Sequence, residues 1–291
     1  MVLHGPSTLT ISLPYSWIRK FNIKKGDELE VEEEGKELKI KLEGVSPLEK
    51  KEITIGDLNS LGKINITSAY RQGYEEIEVK YADSSYLKNI QEIIMREITG
   101  FEIIRQDNNK CVLRDITGHT KDEFDNAINR MWLLIIDLSS ESLEAVKDKD
   151  SLRLKNIQIM DQAINKFSNY CLRILIKKGD KDYRKTLLYY HLIKSLEETA
   201  DRYKDLCNIC VNNLENIDKD FINQFLNVNN CLSEFHKLFY RYNEEKMEDL
   251  MKKVKSAYNN ISHSQKNIEV YLSPICKDIH DLLGVLTEIK L

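Results

Sequence analysis

The stretch GPSTLTISLPYSWIRKFNIKKGDELEVEEEGKELKIKL, residues 5–42, places a small β module at the head of a chain that otherwise reads as helical. Leu9, Ile11 and Leu13 alternate with Thr8, Thr10 and Ser12, the two-residue period of a half-buried strand. Pro14 then opens a short helix, because its missing N–H and fixed φ suit a first turn. Trp17, Ile18 and Phe21 give that helix one apolar face. Gly26-Asp27 turns the chain, Leu29 and Val31 alternate, Glu34-Gly35 predicts a hairpin turn, and Leu38, Ile40 and Leu42 alternate on the return. A strand, a short helix and a hairpin cannot bury a core alone. The module therefore needs a second copy or docking to the rest of the chain.

Its charges are segregated. Arg19, Lys20, Lys24 and Lys25 cluster, and Asp27, Glu28, Glu30, Glu32, Glu33 and Glu34 follow. Two readings are open: a phosphate-contacting patch, doubled by dimerisation, or an ordinary solvated helix face and turn. The 291-residue chain has a net charge of −4, so any nucleic-acid binding must come from a local patch of this kind.

Hydrophobic residues make up 42% and charged residues 31% of the chain, with only 4 Pro and 11 Gly, a structured and helix-rich composition. The longest apolar run, Met131 to Ile136, falls far short of the roughly 20 residues that span a bilayer. No basic segment leads into an apolar core at the start, so neither membrane insertion nor a signal peptide is expected. The six scattered cysteines then read as reduced thiols of a cytoplasmic protein.

The order STLTISLP, PYSWIRKF and IKKGDELEVEEEGKELKIK resembles the AbrB/SpoVT swapped-hairpin family of DNA-binding domains. That resemblance covers nearly the whole module. It implies an interleaved, homodimeric β-barrel presenting polar and basic residues to DNA, here His4, Ser7, Arg19, Lys20, Lys24 and Lys25. One departure is that Met1–His4 leaves the family's first strand short, with His4 as its polar candidate.

Residues 46–118 alternate in type. Strands are expected at Lys51–Ile55 and Ile77–Tyr81, a weak helix over Asp57–Arg71, and a helix capped by Ser84 or Ser85 and ended by Gly100. A hairpin turns at Asp107–Asn109. This small α/β unit has no phosphate loop and no dinucleotide fingerprint. It reads as a spacer between two functional halves or as a small-ligand site.

From Thr120 the apolar residues recur at helical spacing. Breaks at Lys178–Asp180 and Asn212–Asp218, and Pro274 near the end, predict six long helices arranged as two antiparallel triplets. The expected architecture is a multidomain α+β chain: a swapped-hairpin domain (1–45), a small α/β unit (46–118) and an all-α bundle (119–291).

Within SLEETADR, Glu197 and Asp201 lie one turn apart on one helix face and repel unless a cation, Lys194 or Arg202 neutralises them. Asp161 of the preceding helix can lie at the same level. LEETAD, with FDNAINRMWLLIIDL upstream, resembles the PhoU family. That family has two three-helix repeats, each with a metal-binding acidic motif, and takes part in phosphate-uptake regulation. Together with the head, the plan is similar to that of archaeal phosphate-uptake regulators. The resemblance implies a divalent or iron-type ion at Asp161, Glu197 and Asp201, and a transporter or sensor kinase as partner. It departs in Asp161–Asn165, which keeps one carboxylate of a pair. It departs again in Lys277–Asp281, which leaves the second site Asp281 and His280, too few oxygen ligands for firm binding.

Cys207-x-x-Cys210 lies mid-helix and needs two more ligands, with Cys231 or Cys276 as candidates, to complete a zinc site; packing of small apolar thiols is the simpler account. No serine, cysteine or lysine stands in a nucleophile setting, so catalysis is not expected. The sequence supports a dimeric DNA-binding regulator with a helical sensor or adaptor. The competing reading is an adaptor whose head serves only as a dimerisation clip.

Overall fold

The computed structural model describes residues 2–3, 9–34, 37–42, 48–56, 61–117, 123–180, 182–262 and 268–291. The expected roles of His4 and Ser7 and the hairpin turn at Gly35 lie outside these residues. The chain divides into two compact units, residues 1–48 and 49–291.

In the first unit, β1 (Val2–Leu3) pairs antiparallel with β2 (Leu9–Thr10). The strand read through Leu13 is shorter in the structure, because a ladder extends only as far as its partner. Ile11 lies beyond it, 53% exposed. Helix α1 (Tyr15–Phe21) follows Pro14 and closes on Asn22 in the left-handed conformation, φ 52°. Strands β3 (Leu29–Glu34) and β4 (Glu37–Leu42) form an antiparallel hairpin with Val31 opposite Ile40. No described side chain of this unit is buried, and Val31 and Leu38 stand well exposed. The alternation is present, with Leu29 and Ile40 half-buried on the face that carries Val31 and Leu38.

The second unit starts with a four-stranded sheet. β5 (Lys50–Thr54) runs parallel to β6 (Glu76–Lys80) through a crossover containing α2 (Leu61–Arg71). After α3 (Tyr86–Glu97), β7 (Phe101–Gln106) and β8 (Lys110–Asp115) form a hairpin, giving the order β5-β6-β8-β7. Ser85 holds the cap position of α3 without a side-chain cap bond; the Asp83 carboxylate instead accepts the Ser85 N–H at 2.8 Å. Ile53, Ile77, Val79, Cys111 and Leu113 face the helices with Ile66, Tyr70, Ile90 and Ile93 as one core. The period-2 partners face outward as charges and pair across strands: Glu76 with Lys50 and Arg114, Glu78 with Lys110, and Glu52 with Lys80.

Six long helices follow: α4 (Glu123–Lys147), α5 (Ser151–Lys178), α6 (Tyr183–Val211), α7 (Lys219–Tyr240), α8 (Glu244–Ser262) and α9 (Ser273–Lys290). Their starts are chemically set. Asp150 accepts the N–H groups of Leu152 and Arg153, Asp182 that of Arg184, Asp218 that of Phe221, and Pro274 stands at the first turn of α9. Gly179 ends α5 with φ 68°. Helices α4, α5 and α6 pack on one another, as do α7, α8 and α9; α4 against α7 and α6 against α9 join the sets. One apolar core runs through all six. A buried chain of polar contacts crosses it: the Tyr203 hydroxyl donates to Asn229 Oδ1 at 2.8 Å, and Asn229 Nδ2 donates to the Ser139 carbonyl at 2.7 Å. Among the described residues no helix is long and apolar enough to cross a membrane.

Helices α2 and α3 pack on α5, so the α/β layer and the bundle share a seam. Asn169 donates to the Glu97 carbonyl at 2.9 Å, and the Lys177 ammonium meets Glu75 at 2.8 Å. The Arg173 guanidinium, fully buried, reaches the Tyr70 carbonyl and the Asp115 carboxylate while lying 4.9 Å over both the Tyr70 and Phe101 rings.

Candidate functional site

The basic cluster of the head sits on α1 and the turn that follows. Arg19 and Lys20 occupy the last turn of α1, where positive charge suits the helix dipole. Both are exposed. The Arg19 guanidinium lies 5.9 Å over Tyr15 and the Lys20 ammonium 5.2 Å over Phe21. Asp27 accepts the backbone N–H of Lys24 at 2.7 Å, and Gly26 at φ 99° completes that turn, which holds Lys24 and Lys25 beside the helix end. None of the four cations pairs with a carboxylate among the described residues. The cluster thus places four exposed positive charges, none paired among the described residues, on one helix end and the following turn, an arrangement suited to a polyanion.

The three carboxylates expected around a metal ion are arranged differently. The Lys204 ammonium bridges Asp161, at 3.0 Å, and Asp201; Glu197 is paired with Lys194. Asp161 and Asp201 are therefore brought together, but on a built-in cation one turn beyond Asp201. Among the described residues no three His, Cys, Asp or Glu side chains form a group able to hold a metal ion. Burial pushes the Asp161 carboxyl up despite Lys204, and its Oδ1 has no hydrogen-bond partner.

In the last helix, Asp281 is exposed and stands 3.6 Å from the exposed His280. The unusual acid there is Asp278. Its carboxyl is pushed up to about 6, chiefly by burial, with Glu198 and Asp281 adding to the shift and Arg202 and Lys277 opposing it. Arg202 donates to Glu198 at 2.6 Å and leaves its Nε 3.7 Å from Asp278, too long for a hydrogen bond.

Cys207, Cys210, Cys231 and Cys276 are free, buried thiols in the bundle core. Burial pushes Cys207 and Cys231 up to about 11 and Cys210 and Cys276 to about 12, so all four stay protonated and pack as small apolar groups. Phe235 and Phe239 lie against Trp132 in the same core.

Sequence reasoning missed Lys204, Asp278 and Asn165. Lys204 sits at i+3 from Asp201 on one helix, and that spacing signals an ion pair. Asp278 falls three residues after Ile275 and four before Leu282, both core positions, an apolar helical register in which a carboxylate is out of place. Asn165, four residues after Asp161, donates weakly to it at 3.4 Å and keeps its own Oδ1 without a partner.

No curated protein and no solved structure matches this chain. These comparisons lend the expected PhoU resemblance of the bundle no support. Residues 4–49, which carry the strand, basic helix and hairpin, match the model of the MazE antitoxin family, described as antidote-toxin recognition MazE, bacterial antitoxin.

Proposed function

We propose that this chain is a homodimeric, DNA-binding regulator. Its N-terminal MazE/AbrB-like module contacts the phosphate backbone through Arg19, Lys20, Lys24 and Lys25, and its helical unit receives a signal. The observation that carries the reading is the set of four exposed cations on α1 and the following turn, unpaired among the described residues, inside a segment that matches a MazE-type model. The exposed Val31 and Leu38 support the dimer: a second hairpin of the same alternation would cover them. The bundle serves binding rather than catalysis. A tie to phosphate uptake, through a transporter or kinase, is a proposal resting on the PhoU-like motifs alone.

Fluorescence anisotropy of the full chain against duplex DNA across a salt series tests the reading. DNA binding should weaken with a log–log slope of several units, about 0.9 per phosphate contact. A folded, dimeric chain that leaves DNA unbound at low salt would overturn it. The second reading is that the module clasps a protein, and the antidote-toxin description of the matching family favours it. In that case a protein partner, and not DNA, protects the head from proteolysis.

A further inference from the structure

Between the α/β layer and the bundle, a face of α3 carrying Glu92 and Arg96 looks onto a face of α5 carrying Asp161 and Asn165 across a cleft of about 450 Å³. That volume lies in the range of small-molecule sites. Charge decides what kind of molecule fits. Three cations, Lys63, Arg96 and Lys204, line the cleft with three anions, Glu92, Glu97 and Asp161. Two pairs are closed, Lys63 to Glu97 at 2.5 Å and Lys204 to Asp161 at 3.0 Å. Glu92 and Arg96 remain, one turn apart on α3, and neither has an ion-pair partner among the described residues. A balanced lining of this kind repels no net charge and attracts none, so it disfavours a polyanion. One open anion and one open cation, one helical turn apart on the same face, match a zwitterion.

A second observation lies deeper. Asp161 is only 3% exposed, yet its Oδ1 has no hydrogen-bond donor, and neither does Asn165 Oδ1 one turn on. Buried acceptors left unpaired are costly and are normally satisfied. Both await N–H groups. Because Lys204 already supplies a positive charge to Asp161, the donors need not be charged. Amide N–H groups suffice, and the side-chain amides of Asn89, Gln158 and Gln162 in the same lining can pair with the amide oxygen. Both orphan oxygens are covered, so a flexible side chain of the lining must turn aside to admit the ligand, with Lys204 held on Asp161.

We propose that this cleft binds a free amino acid whose side chain ends in an amide. Its α-carboxylate lies on Arg96, its α-ammonium group against Glu92, and its amide N–H groups on Asp161 and Asn165. The inference rests on the cleft alone and is independent of DNA binding. Isothermal titration of the full chain with L-glutamine tests it, with L-alanine and Mn²⁺ as comparators. Glutamine should bind saturably and roughly tenfold more tightly than alanine, the worth of one good hydrogen bond or more. Arg96→Ala, at an exposed position that leaves the fold intact, should weaken both amino acids. Asn165→Ala should weaken glutamine alone, towards the level of alanine. Absence of saturable glutamine binding, equal affinities for the two amino acids, or saturable binding of Mn²⁺ alone would each overturn the proposal.

Discussion

Arg173 of α5 donates to the Asp115 carboxylate at the end of β8 at 2.9 Å, with the two side chains only 1% and 7% exposed. This pair locks the bundle to the α/β layer at its most buried point. Burial alone would push the Asp115 carboxyl up. The Thr117 hydroxyl and backbone N–H, with Arg173, outweigh it and hold the group below the ordinary carboxylate range. Removing one partner of a buried pair leaves an uncompensated charge, which costs about 3–5 kcal/mol. Arg173→Met should cost about 3 kcal/mol in urea unfolding, the lower end, because Thr117 still serves Asp115. Adding Asp115→Asn should restore part of the loss, and a double-mutant cycle reads the coupling directly. Because the Asp115 carboxyl is held low in the folded state, its contribution is present above pH ~4, the unfolded value, and is lost as pH falls further.

Asp278 has the opposite sign. Its folded carboxyl titrates at about 6, above the unfolded value near 4. Between those values the folded chain holds the extra proton, so stability falls as pH rises from about 4 through 6 and levels off above. The group therefore opposes folding at neutral pH by about 1–3 kcal/mol. Asp278→Asn should raise the melting temperature at pH 7, leave it nearly unchanged at pH 4, and flatten the profile between. A melting temperature at pH 7 that fails to rise would show that Arg202 compensates the charge more fully than its 3.7 Å distance implies.

The six helices are legible because apolar period, Asp caps, Gly179 and Pro274 all act locally, within a turn of where they are read. The hairpin is legible for the same reason, and its register follows from alternation. The contacts that join elements are not. Arg173 and Asp115 lie 58 positions apart, and Asp161 and Lys204 lie 43 apart, so no local rule couples them. At the candidate metal site, the acids at Glu197 and Asp201 and the lysines three residues from each stand out on one helix, while the reach of Lys204 to Asp161 becomes evident only once α5 and α6 are packed side by side. At the cleft, Asn165 reads in sequence as a lost carboxylate, and its open oxygen is visible only in three dimensions.

Lys204 stands between Asp161 and Asp201 where a cation is needed. Lys204→Ala leaves Asp161 buried and without a counter-charge, and should cost about 2 kcal/mol. It also leaves two carboxylates facing each other, an arrangement that recruits a hard divalent ion. Thermal unfolding of this variant should shift upward with Mn²⁺ and return with chelator, whereas the parent chain should respond far less. A parent chain stabilised by Mn²⁺ as strongly as the variant would mean that Lys204 yields its place to metal.

The head makes the sharpest prediction. Arg19, Lys20 and Lys24 carry no carboxylate partners among the described residues, so alanine at any of them breaks no ion pair. Stability should change by less than about 0.5 kcal/mol, as for ordinary surface substitutions. If each cation meets one phosphate, each substitution should lower the salt slope of DNA binding by about 1 and weaken all DNA sequences alike. The proposed dimer would present each residue twice, so a slope lower by about 2 per substitution would place both copies on one duplex. Val31→Lys, on the exposed hairpin, should instead abolish the proposed dimerisation and DNA binding together while leaving the helical unit folded, because it places a charge where the proposed second copy would pack. Binding that survives in a monomeric Val31→Lys chain would separate the basic patch from the dimer and remove the reason for the exposed alternation of β3 and β4.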